Sequence, residues 1–187
     1  AELRIIDANE QKVDSWTSDG SFHEVALDAG TYTLIEDQEP AGYDRAESVS
    51  FTVAYDDNNN VIVTVDGEVK DKVVMTDELS DRTVSIKKTD ISGTVEIAGA
   101  TLTVKDAEGK IVESWPADGS AHDINVKPGT YTLTEDQAPI GYDYAADITF
   151  NVSFDQSNNT IITVDGDVVP EVAMKDELSD HKVTIRK

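Results

Sequence analysis

The chain has 187 residues, a formal net charge of −23 at pH 7 and no cysteine. The negative charge argues against nucleic acid and anionic membrane surfaces as partners, because both attract lysine and arginine. The absence of cysteine excludes disulfides, thiol catalysis and zinc–thiolate sites. The three histidines lack metal-like spacing, and no apolar run is long enough to span a membrane. We therefore expect no metal, no cofactor and no membrane partner.

The chain contains an internal repeat. Residues 1–88 align with residues 100–187 at a constant offset of 99 without a gap, and roughly half of the aligned positions are identical. Since the segment from 89 to 99 occurs only once, the second repeat is complete, whereas the first begins at its second strand. We expect a domain at 1–81 that lacks its first strand and a complete domain at 82–180. We expect 181–187 to be the first strand of a following repeat or a donor strand for another chain.

The predicted elements of the second repeat are short strands. In chain order, apolar and polar residues alternate over 83–88, 101–106, 130–135, 148–154, 160–164 and 172–176. Alternation with a period of two is typical of β-strands, and the Asp-, Asn- and Gly-rich segments between them are typical of turns. No segment has the pattern of an amphipathic helix. We therefore predict an all-β chain of two tandem antiparallel β-sandwiches.

Three of these strands end their apolar face with an ionisable residue: Lys88, Glu135 and Asp176. If the three faces meet in one core, burial favours the uncharged forms of the amine and the carboxyl groups. A neutral amine beside a protonated carboxyl is a nucleophile beside an electrophile, and another carboxyl can move the protons. The pattern thus predicts an amide (isopeptide) bond between side chains, formed with loss of water. The alternative is that each charged residue only marks the solvent edge of its strand.

Five segments of the second repeat carry a resemblance to a known family: IKKTD, AGATLTVKDAEGKIVESWPADGS, PGTYTLTEDQAPIGYD, ITFNV and VAMKD. In order and spacing they resemble the CnaB-type domains of Gram-positive surface adhesins and pilins. They are especially similar to the domain that was split to give the SpyCatcher and SpyTag pair. The resemblance implies an Ig-like, prealbumin-like sandwich in which Lys88 is the amine, Asp176 the acceptor and Glu135 the catalyst.

The resemblance also implies a function and a location. We expect a structural stalk module of a surface adhesin, displayed outside the cell on a Gram-positive cell wall. Its bond would form once, on the protein itself, so that the chain is not an enzyme that turns over a substrate. The alternative function is a ligand-binding adhesin module for a host protein or carbohydrate, in which the bond is only a staple.

The first repeat has two of the three groups. Glu36 corresponds to Glu135 and Asp77 to Asp176, but no lysine precedes them at the matching position. Lys187 occupies the position of Lys88 at the constant offset. A strand that ends in Lys187 could enter the first domain of another chain by strand addition, with Glu36 as catalyst and a bond to Asp77. Repetition of such a head-to-tail contact gives a filament or a ring. The alternative is that the chain is part of a longer tandem array and that its ends do not coincide with the domain boundaries.

Two further features are candidates for ligand binding. The loops YDDNNN and FDQSNN could hold calcium weakly, although such sequences are typical of hairpin turns. Trp16 and Trp115 occupy matching positions and could line a binding face or pack beside a turn. No nucleophile elbow, phosphate loop or histidine-based metal motif is present, which argues against a conventional enzyme.

Overall fold

The computed structural model describes residues 1–180 and 183–187. It divides into two compact units, Ala1–Ser80 (unit 1) and Asp81–Lys187 (unit 2), each with its own hydrophobic core. Within the described residues, no helix is long and apolar enough to cross a membrane. The domain limits 1–81 and 82–180 stay predictions about independently folding units.

Unit 1 is built from short strands. They are β1 (Glu2–Asp7), β2 (Lys12–Thr17), β3 (Gly30–Gln38), β4 (Tyr43–Asp44), β5 (Val49–Tyr55), β6 (Val61–Val65), β7 (Glu68–Lys70) and β8 (Glu78–Leu79). The main sheet has the order β2-β1-β3-β5-β6-β7, and β4 pairs with β8. Its buried apolar side chains come from three strands of that sheet: Ile5, Tyr32, Leu34, Phe51 and Val53.

Unit 2 repeats this sheet and adds a second one. Its strands are β9 (Arg82–Asp90), β10 (Ala98–Asp106), β11 (Ile111–Asp118), β12 (His122–Val126), β13 (Gly129–Gln137), β14 (Ile148–Phe154), β15 (Thr160–Val164), β16 (Asp167–Val169) and β17 (Val172–Asp176). The main sheet has the order β11-β10-β13-β14-β15-β16, and the second sheet has the order β12-β9-β17. Apolar residues of both sheets form one core, which makes unit 2 a β-sandwich.

The turns follow from local sequence. Asp165 and Gly166 join β15 to β16 with φ angles of 53° and 90°. Two positive φ angles define the type I′ hairpin turn, for which Asp-Gly is a preferred pair because its right-handed twist matches that of the flanking strands. Asp66 and Gly67 repeat the turn in unit 1, with φ angles of 50° and 80°. The repeat thus extends to the backbone of individual hairpins.

One strand pair differs from the predicted antiparallel arrangement. In the second sheet, β9 pairs antiparallel with β12 but parallel with β17, with Met174 opposite Lys88. A tight hairpin forces antiparallel pairing, whereas parallel strands need a long connection. The rest of unit 2 lies between its first and its last strand, and this connection is long enough for the two strands to pair in parallel.

Two segments that are strands in unit 2 form no strand in unit 1, all of whose residues the structure describes. Residues 23–27 correspond to β12 and residues 73–77 to β17. In unit 2 both strands pair with β9 alone, and unit 1 has no counterpart of β9. Their apolar side chains are only partly buried: Val25, Leu27, Val73 and Met75. The counterparts in unit 2 are at most 4% exposed: Ile124, Val126, Val172 and Met174.

The C-terminal segment contains the last predicted strand. His181 and Lys182, on which part of that prediction falls, lie outside the described residues. Residues 183–187 form no strand, and Val183 and Ile185 are 79% and 88% exposed. These two positions correspond to Val84 and Ile86 of β9, which are buried.

Candidate functional site

Strand β9 directs one of its two adjacent lysines into the core. Val84, Ile86 and Lys88 lie on the same face and are only 0%, 1% and 2% exposed. Lys87 lies on the opposite face, where its Nζ is 3.0 Å from Glu171 Oε2 and 3.6 Å from Glu96 Oε1. The alternation of a β-strand thus separates a buried amine from a surface ion pair.

The buried amine meets two carboxylates from different sheets. Lys88 Nζ contacts Asp176 Oδ1 at the end of β17, and it lies 2.6 Å from Glu135 Oε1 on β13. All three side chains are at most 1% exposed. The structure therefore brings together the three residues that the strand faces and the family resemblance select.

A backbone contact fixes the orientation of Glu135. The backbone N–H of Ala145 donates a hydrogen bond of 2.8 Å to Glu135 Oε2, which leaves Oε1 directed at the lysine. Ala145 is a functional contact that the sequence does not indicate, because any residue except proline could supply this N–H. One carboxylate oxygen is thus held in place and the other is available to exchange a proton.

Burial favours the protonated form of Asp176. Removal from water raises the pKa of Asp176 above its ordinary value, and the neighbouring Lys88 opposes this rise. The second carboxylate oxygen, Oδ2, is buried and has no hydrogen-bond partner. A carboxyl group with a raised pKa and an unsatisfied oxygen is more easily protonated, and protonation turns that oxygen into a leaving group.

The arrangement can form an amide without any other reactant. The Lys88 ammonium gives one proton to the Asp176 carboxylate, with Glu135 Oε1 close enough to carry it. The amine nitrogen then attacks Asp176 Cγ and passes a second proton, by way of Glu135, to the hydroxyl oxygen. The bond from Cγ to that oxygen breaks, and the oxygen leaves as water. One positive and one negative charge disappear from the core, so that the product needs no counter-ion there.

The raised pKa of Asp176 gives a pH prediction for the unbonded domain. In Lys88→Met no bond can form, and burial together with the neighbouring Glu135 carboxyl keeps the pKa of Asp176 raised. A carboxyl group with a higher pKa in the folded than in the unfolded state binds more protons when folded. Its stabilising effect is therefore present below its ordinary value of 3.8 and is lost as pH rises through the raised value. We expect the urea midpoint of unit 2 in Lys88→Met to fall as pH rises across this interval.

The control for this effect is the double variant Lys88→Met, Asp176→Asn. It lacks the titrating group, and we expect its urea midpoint to change less over the same pH interval. Equal pH profiles of the two variants would show that Asp176 does not carry the effect.

Unit 1 has the carboxylates without the lysine. Glu36 is 3% exposed, and its Oε2 accepts a hydrogen bond of 2.7 Å from the backbone N–H of Ala46. Its other oxygen, Oε1, is buried and has no partner. Asp77 is half-buried in the segment 73–77, and Lys187 is exposed. Glu36 thus repeats the orientation of Glu135 but faces no amine.

The tryptophans take part in a repeated aromatic contact. Trp115 stacks on His122 with ring centroids 4.3 Å apart, and His122 Nε2 lies 2.7 Å from Glu113 Oε1. Trp16 and His23 repeat the stack at 4.1 Å. These contacts join β11 to β12 in unit 2 and the matching segments in unit 1, and Trp16 and His23 also line a groove of unit 1.

The acidic loops are closed by their own side chains. Asp155 Oδ1 accepts hydrogen bonds of 2.9 Å from the backbone N–H groups of Ser157 and Asn159, and Asp56 does the same for Asn58 and Asn60. Such contacts stabilise a hairpin turn. In the part of the chain that the structure describes, no group of three or more His, Asp or Glu side chains could hold a metal ion.

Comparison with known families gives one match. A family model described as the SpaA prealbumin-like fold domain matches residues 1–69 and 82–167. Comparison with curated protein sequences gives no match.

Several solved structures are similar to the chain. One is the pilus adhesin SpaC from Lactobacillus rhamnosus GG in its open conformation, with 17% identity over 100% of this chain and 29% of that chain, at a TM-score of 0.40. The shaft pilin SpaA of the same organism has 14% identity over 97% of this chain and 88% of that chain, at 0.42. The Bacillus anthracis TIE protein has 21% identity over 95% and 30%, at 0.47. The chain therefore spans less than a third of the length of the SpaC adhesin and of the TIE protein.

Proposed function

Because the chain belongs to the family of SpaA prealbumin-like fold domains, we propose that it is a structural module of a Gram-positive surface pilus or adhesin. We propose further that unit 2 is stapled by an isopeptide bond between Lys88 and Asp176, formed autocatalytically with Glu135 as the catalyst. The observation that carries the proposal is the contact of Lys88 with both carboxylates inside the core.

The energetics of the buried cluster support a reaction. An ammonium group with two carboxylates in a core loses the hydration of three charges, and their attraction compensates this loss only in part. One net negative charge also remains among the three groups. Amide formation removes the charges of Lys88 and Asp176 and leaves the single carboxyl of Glu135. The reaction therefore relieves the cost of the cluster, which is the driving force that we assign to the bond.

The position of the bond suits a module that carries tension. Lys88 and Asp176 lie 88 residues apart in sequence on the first and the last strand of unit 2. A covalent link between these strands lets tension pass from one to the other without loading the residues between them. This supports a role as a stalk segment displayed on the cell surface.

Unit 1 supports the second part of the proposal, which is assembly. Its segments 23–27 and 73–77 have no strand between them, and the oxygen of Glu36 has no amine to face. A strand from another copy of the chain, ending in Lys187, would supply both. Lys187 would then bond to Asp77, and repetition of this contact would join chains head to tail.

Intact mass under denaturing conditions, run beside a denaturing gel, tests both parts. We expect a monomer that is lighter than the calculated mass by one water, and a ladder of multimers in which each junction removes one more. Lys187→Ala should abolish the ladder and keep the loss in the monomer, whereas Lys88→Ala should abolish the loss in the monomer. A full calculated mass for the wild-type monomer would contradict the staple, and the absence of multimers would contradict head-to-tail bonding.

A further inference from the structure

A groove in unit 1 occupies the place that β9 fills in unit 2. It has a volume of about 950 Å³ and is lined by apolar side chains that include Val25, Leu27, Val73 and Met75. We call this groove, between residues 23–27 and 73–77, the acceptor slot. Glu36 corresponds to Glu135, whose Oε1 lies 2.6 Å from Lys88 Nζ, so Glu36 marks where a lysine of an occupant would lie. An occupant of the slot is therefore a β-strand that ends its apolar face with lysine.

Two ion pairs lie at the ends of the corresponding strand in unit 2. Just before β9, Asp81 Oδ1 is 3.1 Å from Lys127 Nζ. Near its other end, Lys87 Nζ is 3.0 Å from Glu171 Oε2, and this contact raises the pKa of Lys87 above its ordinary value. The strand thus carries an acidic residue at its start and a basic residue directly before the reactive lysine, and each one meets the opposite charge.

In unit 1 the positions that correspond to Lys127 and Glu171 carry the reverse charges. At the offset of 99, Asp28 takes the position of Lys127 and Lys72 takes the position of Glu171. Lys72 lies at the slot, because its Nζ is 4.6 Å from the centre of the Phe22 ring and both residues line the groove. Unit 1 thus has an acidic residue where unit 2 has the basic Lys127, and a basic residue where unit 2 has the acidic Glu171.

The C-terminal segment keeps the charges of β9. Asp180 corresponds to Asp81 and Arg186 to Lys87. If this segment of another copy entered the acceptor slot in the register of β9, Asp180 would face Asp28 and Arg186 would face Lys72. Each contact that is attractive in unit 2 would then be repulsive.

We propose that these reversed pairs decide which strand each unit accepts. Unit 2 selects a strand with an acidic start and a basic residue before the lysine. Unit 1 selects a lysine-bearing strand with a basic start and an acidic residue directly before the lysine. The C-terminal segment is therefore a weaker donor for unit 1 than a strand with the reversed charges, and the reversed pairs limit the head-to-tail assembly proposed above. This inference rests on the proposed acceptance of a donor strand by unit 1.

Other charged groups at the slot act against this preference. Glu24 and Asp71 also line the groove, and they favour a basic donor residue. Glu24 corresponds to Asp123, which lies opposite Ser85 rather than Lys87 in unit 2. Asp71 corresponds to Pro170. Variants at Asp28 and Lys72 separate the effect of the reversed pairs from that of these two acids.

Peptide binding tests the inference without the covalent step. The acceptor is the full chain with Asp77→Ala and Lys187→Ala, which removes both partners of the proposed covalent bond. One labelled peptide has the sequence of residues 179–187, and the second carries Asp180→Lys and Arg186→Glu. The two peptides have the same net charge, so that general attraction to the acidic protein is equal. We expect the second peptide to bind about fivefold more tightly in a fluorescence anisotropy titration at low salt, and this ratio to shrink at high salt.

The matched control is an acceptor that also carries Asp28→Lys and Lys72→Glu. Both residues are exposed, so the fold should remain, which circular dichroism can verify. We expect the order of the two peptides to reverse. Equal affinity of both peptides for the first acceptor, or no binding of either, would overturn the inference. Neither result would affect the staple of unit 2, because that bond is detected separately as the loss of water from the monomer.

Discussion

Glu135→Gln is expected to lower the free energy of unfolding of unit 2 by about 4–5 kcal/mol. The substitution keeps the size of the side chain, but the amide cannot accept a proton from Lys88, so the isopeptide bond would not form. That bond closes a loop of 88 residues, and a cross-link of that length restricts the unfolded chain by about this amount in the chain-entropy account used for disulfides. Urea titration of the wild type and the variant, both with Trp16→Phe so that Trp115 is the only tryptophan, measures the difference by fluorescence.

Two variants serve as controls for the stability prediction. Lys87→Ala removes the adjacent lysine and its surface ion pair, and we expect a change of about 1 kcal/mol or less. Glu36→Gln changes the equivalent carboxylate of unit 1 and should leave the transition of unit 2 in place. If Glu135→Gln still loses water and unfolds like the wild type, Glu135 is not the catalyst.

Single-molecule stretching from the two termini should reveal a second large effect. In the wild type we expect unit 1 to unfold and extend, whereas unit 2 does not lengthen. Tension enters through β9, passes through the amide from Lys88 to Asp176 and leaves through the end of β17. The 87 residues between them, 89–175, are then outside the path of the load.

The unbonded variant provides the comparison for this effect. In Glu135→Gln we expect a second unfolding event, which adds a contour length of roughly 300 Å for the residues released, at about 3.4 Å each. Unit 1 is the internal reference, because its event should be the same in both proteins. A second event of this size in the wild type would mean that unit 2 has no continuous covalent path.

Much of the fold could be predicted from the sequence. Period-2 alternation predicted the all-β class, and that prediction is confirmed together with the prealbumin-like family. The alternation also placed Lys88, rather than Lys87, on the buried face, as the structure has it. Both successes depend on local information, since the two faces of a strand differ by one residue.

Long-range features were beyond this kind of reasoning. The parallel pairing of β9 with β17 depends on how the two ends of a domain meet, and no turn near either strand encodes it. The backbone contact of Ala145 with Glu135 leaves no side-chain pattern. The volume and the lining of the groove in unit 1 require the folded chain. The reversed charges of Asp28 and Lys72 are visible in the sequence, but only the structure shows that the corresponding residues of unit 2 form ion pairs with the segment around β9.

Peptide mapping of the wild-type monomer tests the central claim most directly. Digestion under denaturing conditions, followed by tandem mass spectrometry, should yield a branched peptide in which the segment containing Lys88 is joined to the segment containing Asp176, one water lighter than the two together. Lys88→Ala should yield the two segments as separate linear peptides, and Lys87→Ala should keep the branch. Recovery of both wild-type segments only as linear peptides of full mass would contradict the staple, and with it the proposed function of unit 2 as a covalently closed stalk module.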